Sequence, residues 1–244
     1  MKSLAREDKN VKIIKYDNSE KMNGGLIQMF NNDIRLLLST NDFINLGIAT
    51  GNTFKSFMRY LNNCPDIPLD RINLFMVDEY SNVNPEDEAS CAIDLVTELT
   101  CLNRFHRFYT FTKEHYLDQI KEYNDLLEEH PFDLLLLGIG ENGHYGFCNR
   151  YDGILSDKSY KLVSFSKDER WQQVELGWFN DIEEVPLGGI TITDYGVLNS
   201  GKVVFAAYYE QKKAIIEKIW HSTVNKEMAI YPLLSKENCI LLCG

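Results

Sequence analysis

A lone histidine in a glycine-rich turn follows four consecutive leucines in Leu134-Leu-Leu-Leu-Gly-Ile-Gly-Glu-Asn-Gly-His144. Imidazole changes charge near neutral pH, and Gly138, Gly140 and Gly143 let backbone amides approach a ligand closely, so the turn can present N–H donors beside a proton carrier. A plain strand-to-helix turn, with His144 capping or exposed, fits the same residues equally well. The run Phe75-Met-Val-Asp78-Glu79-Tyr80 places two adjacent carboxylates after an apolar stretch. Side chains alternate along a strand, so one of the pair should face a crevice. A partly buried carboxylate there, with its pKa raised toward neutrality, can take a proton from a carbon alpha to a carbonyl. A turn or cap residue is the plainer reading of an aspartate at a strand end.

Two further stretches suit an anion. In Gly47-Ile-Ala-Thr50-Gly51-Asn52-Thr53, hydroxyl and amide groups precede a helix whose first N–H groups point outward. Capping alone would also explain Asn52 and Thr53, and without Gly-Lys-Ser/Thr this is no Walker loop. Gln211-Lys212-Lys213-Ala214 opens a later helix, where Lys213 either reaches a phosphate or is a solvated charge. Cys148 lies near the histidine turn, and no basic neighbour marks it as an activated nucleophile, so it reads as a packing residue.

These residues need a scaffold that gathers distant strand ends. Apolar runs at 11–14, 43–48, 73–77, 132–139 and 202–207 have strand character, and helical patterns cover 20–38, 53–61, 89–99 and 117–129. The β-α alternation predicts an α/β fold: an open, mostly parallel sheet flanked by helices, Rossmann-like and doubly wound, with ligands beyond the carboxyl ends of its strands. The whole chain, 1–244, is expected to form one domain. Residues 150–186 break the rhythm with scattered aromatics (Tyr151, Tyr160, Phe165, Trp171, Trp178, Phe179) and are read as a lid insertion over the site. A static excursion packed by its own aromatics fits equally well.

Composition narrows the function classes. With 36 acidic and 25 basic side chains the formal charge is −11, which offers no footprint for nucleic acid and repels an anionic membrane surface. Any anionic ligand must be held by local contacts. The six cysteines form no CxxC pair and are expected to be buried thiols, with no metal site. No stretch is long and apolar enough to span a bilayer, and the first ten residues lack a hydrophobic signal core, so a cytoplasmic location is expected.

Taken together, Ala49-Thr-Gly-Asn-Thr53, Met76-Val-Asp-Glu-Tyr80, Leu137-Gly-Ile-Gly-Glu-Asn-Gly-His144 and Lys213-Ala214 resemble, in order and spacing, the glucosamine-6-phosphate deaminase family, whose fold also serves 6-phosphogluconolactonases. The lactonase branch usually continues Asp-Gly-His with Thr-Ala-Ser, where this chain has Tyr-Gly-Phe. Asn142, Asp168-Glu-Arg-Trp-Gln-Gln173 and Gly189-Ile-Thr-Ile192 look like the galactosamine-6-phosphate deaminase/isomerase branch. The resemblance implies a deaminating isomerase acting on galactosamine or glucosamine 6-phosphate without a cofactor. In that reading Asp78 is the C2–C1 base and His144 assists ring opening, with Asn142 orienting it and Glu79 beside the base. Thr50, Gly51, Asn52, Thr53, Gly140 and Lys213 would hold the phosphate. The expected partner is a small-molecule sugar phosphate, with a homo-oligomer left open. Departures are Asn142 for an aspartate, Phe147-Cys148-Asn149-Arg150 for Phe-Asn-Glu-Pro, and Trp178 for an arginine. Asp152 is a candidate for the displaced glutamate, and Arg150 or Arg170 for the missing phosphate contact. A lactonase, with His144 activating water, and a sugar-phosphate-binding protein that has lost catalysis are the alternatives.

Overall fold

In the computed structural model, which describes residues 11–149, 156–175, 177–221 and 223–244, the apolar runs pair into a seven-stranded sheet. Its strands are β1 (Val11–Lys15), β2 (Ile44–Ile48), β3 (Ile72–Met76), β5 (Arg107–Tyr109), β6 (Leu134–Gly138), β9 (Lys202–Ala207) and β10 (Cys239–Cys243), in spatial order β1-β10-β9-β6-β2-β3-β5. Every pair is parallel, so all carboxyl ends meet at one edge. Central β6 shows why the leucine run reads as it does: Leu134 to Leu137 are all buried, as expected of a strand covered on both faces.

The α-helices among the described residues are α1 (Ser19–Leu37), α2 (Lys55–Asn62), α3 (Ile93–Glu98), α4 (Tyr116–Glu129), α5 (Lys167–Glu175), α6 (Asp194–Asn199) and α7 (Tyr209–Trp220). In α1 the Asn18 side chain accepts from the Lys21 amide, and Met22, Leu26, Phe30 and Ile34 recur every four residues as one buried stripe. A second, antiparallel sheet of β4 (Asp78–Tyr80), β8 (Gly188–Ile192) and β7 (Tyr160–Ser164) has the order β4-β8-β7. It leaves the main sheet directly after β3 and is tied back to it. The Ile192 amide donates to Val77 O at 2.7 Å, and the buried Tyr160 hydroxyl donates to Met76 O at 2.5 Å.

Several boundaries differ from the sequence reading for physical reasons. The helix predicted over 89–99 begins only at Ile93, because the Glu79 carboxylate captures the amides of Cys91 and Ala92 and folds that stretch into a turn. The helix predicted from residue 53 begins at Lys55, with Phe54 at the cap position and no side-chain cap bond, so Asn52 and Thr53 do not cap it. Strands β5 and β10, the whole second sheet, and helices α5 and α6 were not anticipated. The described part of residues 150–186 contains β7 and α5, and around it Tyr80, Val83, Phe179 and Val185 form a small second core with Phe147, Phe165 and Val174 packed on it. Residues 150–155, among them the candidate residues Arg150, Tyr151 and Asp152, lie outside the described residues.

Candidate active site

A cavity of about 330 Å³ opens beyond the carboxyl ends of β2, β3 and β6. Its lining draws Thr50 and Gly51 from the β2 end, Asp78 from the start of β4, Gly140 and His144 from the β6 turn, and Lys212 from α7. Four separate segments of the chain therefore converge on one space beyond the shared edge of the parallel sheet.

The histidine turn is built around a close approach. A methyl group on Gly140 would lie 2.0 Å from His144 Cε1, so the imidazole lies against a glycine where no larger residue fits. Asn142 Oδ1 is 2.5 Å from His144 Nδ1 and also accepts from the His144 amide at 3.2 Å. An amide oxygen can only accept, so it selects the tautomer with the proton on Nδ1 and leaves Nε2 unprotonated when the ring is neutral. Burial lowers the imidazole pKa, the Lys212 charge lowers it further, and Glu141 opposes both. Neutral His144 is thus a base or a polarising group at physiological pH.

Asp78 and Glu79 point to opposite sides of β4. Burial first, and the Glu79 charge second, push the Asp78 carboxyl up to about 7. Among the described residues no donor reaches its oxygens, which leaves it available to take up and return a proton. Glu79 is fully buried away from the cavity. It accepts from Ser90 Oγ at 2.5 Å and from the amides of Tyr80, Cys91 and Ala92 at 2.8, 2.9 and 3.1 Å. Burial raises its pKa against those four donors. Its position is that of a clamp on the cavity wall formed by Ser90 and Cys91, away from the reacting space.

The remaining polar groups divide by sign. On the β9 side Lys212, half-buried, has Nζ 3.5 Å from Glu141 Oε1, and its φ of −115° and ψ of 17° break the regular turn of α7. On the β4 side Asn149 Nδ2 donates to Glu169 Oε1 at 2.6 Å, and Gln173 Oε1 accepts from the Tyr80 hydroxyl at 3.0 Å. Trp178, 59% exposed, stands at the mouth.

Of the sequence-predicted residues, Thr50, Gly51, Asp78, Gly140 and His144 line the cavity, with Asn142 directly behind the imidazole. Asn52, Thr53, Glu79 and Lys213 do not. Lys213 is exposed and its neighbour Lys212 faces inward; residue type cannot separate adjacent lysines, and the kink in α7 decides which one turns in. Arg170 is no phosphate contact either, since it donates to the carbonyls of Ile182 and Val185. Cys148 packs as expected, its thiol on Ile192 O and pushed up to about 11 by burial. The sequence gives Glu169 no site role beyond its place in the branch-like stretch 168–173, although Ser166-Lys-Asp-Glu169 carries the spacing of a helix capping box. No cluster of three or more His, Cys, Asp or Glu suited to a metal occurs among the described residues, and no helix there is long and apolar enough to cross a membrane.

Comparison with known proteins extends these observations. A family model described as glucosamine-6-phosphate isomerases/6-phosphogluconolactonase matches residues 17–238. A glucosamine-6-phosphate deaminase of Lysinibacillus sphaericus is 28% identical over 210 residues, covering 85% of this chain and 92% of that one. Its counterpart in Enterococcus faecalis is 26% identical, covering 81% and 83%. Among solved structures, a monomeric glucosamine-6-phosphate deaminase superposes with a TM-score of 0.76 at 19% identity, covering 95% of this chain and 96% of that one. A 6-phosphogluconolactonase from Thermotoga maritima gives 0.74 at 18% identity, covering 95% and 98%. These two structures share the fold.

Proposed function

Because this chain belongs to the family of glucosamine-6-phosphate isomerases and 6-phosphogluconolactonases, we propose that it is a deaminating isomerase of a hexosamine 6-phosphate. It converts glucosamine or galactosamine 6-phosphate and water to a ketohexose 6-phosphate and ammonium. The observation that carries this reading is Asp78, a carboxyl with no hydrogen-bond partner among the described residues and a pKa pushed up to about 7, facing the same cavity as the Asn142-oriented His144.

In the proposed sequence His144 moves the proton that opens the sugar ring. Asp78 then takes the proton from C2; the C–H electron pair becomes a C1=C2 double bond, and the aldehyde oxygen takes the proton that the C2 ammonium gives up, leaving an enolamine. Return of the proton to C1 leaves an iminium at C2, and attack by water releases ammonium. A base whose conjugate acid has a pKa near 7 suits both the removal and the return. Thr50, Gly51 and Lys212 hold the phosphate, so a locally basic end serves a protein of net charge −11. The described residues 156–175 and 177–186 belong, in this reading, to the insertion beside this site within one domain. The curated relatives named above favour the gluco epimer, whereas Asn142 and the stretches 168–173 and 189–192 favour the galacto branch.

Ammonia release from glucosamine and galactosamine 6-phosphate, measured side by side with Asp78→Asn as control, tests the proposal. Release that vanishes in the variant supports it and names the epimer. A fully active Asp78→Asn protein sinks the mechanism. The Thermotoga maritima neighbour gives the lactonase reading its support; hydrolysis of 6-phosphogluconolactone without ammonia release would replace the deaminase with it. Saturable sugar-phosphate binding with neither activity would select a binding protein.

A further inference from the structure

The cavity is polarised. Its β9 side carries Lys212, while its β4 side carries Glu169, held by Asn149, and Glu88. Tyr80 orients that second side: its ring lies 5.1 Å from Phe147, its hydroxyl reaches Gln173 one turn beyond Glu169, and Phe147 is 4.9 Å from Phe165. Helix α5 is therefore anchored on the Asp78 side of the cavity. A hexosamine 6-phosphate has the matching polarity, with an ammonium at C2 and a phosphate at C6, whereas a phosphorylated lactone or a neutral hexose phosphate carries no cation.

We propose that Glu169 is the specificity residue that recognises the substrate ammonium, with Asn149 as its positioning residue. The inference deepens the reading above and takes its amino-sugar phosphate as the ligand. Four observations support it. Asn149 Nδ2 donates to Oε1 at 2.6 Å and the Ser166 amide to Oε2 at 2.7 Å, so each oxygen keeps a second lone-pair direction for a further donor. Burial acts to neutralise the carboxyl, but Ser166 and Asn149 together outweigh it and hold the pKa below the ordinary value, so the anion persists at neutral pH. Glu88, the other acid on this wall, is exposed and open to solvent screening. Asp78, with a pKa near 7, is only partly charged at that pH.

Glu169 also closes a capping box at the start of α5, its amide donating to Ser166 Oγ at 3.2 Å. Glutamine serves that box as well as glutamate, so Glu169→Gln keeps the Ser166 contact while it removes the charge and the acceptor that faces Asn149. Calorimetric binding of glucosamine 6-phosphate and of glucose 6-phosphate, which replaces the ammonium by a hydroxyl, is compared in the Asp78→Asn background so that no turnover intervenes. We expect Glu169→Gln to weaken the aminated ligand about tenfold to a hundredfold, as fits a lost charge-assisted bond. Glucose 6-phosphate should change by less than about twofold. Equal loss for both ligands, or an unchanged preference for the amine, overturns the proposal. The amine-selective loss in a protein that releases no ammonia keeps this assignment and discards the reaction. Ammonia release together with an indifferent Glu169→Gln does the reverse.

Discussion

The two faces of β4 treat a carboxylate in opposite ways. Toward the cavity, Asp78 has no donor among the described residues and a pKa near 7; toward the interior, Glu79 accepts four hydrogen bonds and shapes the wall. One peptide bond separates a group kept free to exchange a proton from one committed to architecture. Burial raises both pKa values, so burial alone does not make a reactive residue; the absence of partners separates the two.

Asp78→Asn is the sharpest test of that contrast. Turnover should fall by at least about a thousandfold with sugar-phosphate binding retained. The same variant should be more stable than the wild type at pH 8. Folded Asp78 keeps its proton up to about 7 while the unfolded carboxyl ionises near 3.8, so wild-type stability falls as pH rises through that window. At about 1.4 kcal/mol per pKa unit, the gain from asparagine reaches up to about 4 kcal/mol. Chemical denaturation at pH 5 and pH 8 measures it, and a variant weakened at pH 8 would break the comparison. Gly140→Ala pushes the His144 ring aside and should lower kcat about a hundredfold with little change in stability. An unchanged kcat would remove His144 from the chemistry.

On the structural face, Glu79→Gln should cost about 2 kcal/mol, because one acceptor oxygen cannot serve the donors that two served. It should also move the rising limb of the kcat/KM profile, expected near pH 7 in the wild type, to lower pH, since the second cause of the raised Asp78 pKa is removed. A limb that stays in place would show that the neighbouring charge is irrelevant. The smallest effect falls on phosphate binding. Lys212→Ala should raise KM about tenfold and Lys213→Ala less than about twofold; the opposite ranking would mean that α7 turns its other lysine inward.

Most of the parallel sheet was legible because strands buried on both faces announce themselves as apolar runs, and Leu134 to Leu137 is the plainest case. Strand β5 spans only Arg107–Tyr109, too short to show a period. The second sheet hides for another reason: in β7 the burial alternates imperfectly, with Leu162 47% exposed, so hydrophobicity does not report its faces. At the site, Asp78, His144 and Gly140 were legible because they sit at strand ends, whose direction the topology fixes. Lys212 and Glu169 stand on helices, where one residue of phase or an unrecognised cap decides what faces inward.

Strand β10 has a consequence for how the chain comes together. Cys239 pairs with both Val11 and Val203, so the last strand in chain order lies between the first strand and β9. During synthesis β1 has no neighbour in the sheet until residues 239–243 have left the ribosome, and the apolar stripe of α1 waits with it. The central strands β6, β2 and β3, which carry the histidine turn and lead into Asp78, can pair before then. The edge that carries the cavity is thus assembled early, and the opposite flank of the sheet is sealed late by a contact of very long sequence separation, the slowest kind to form.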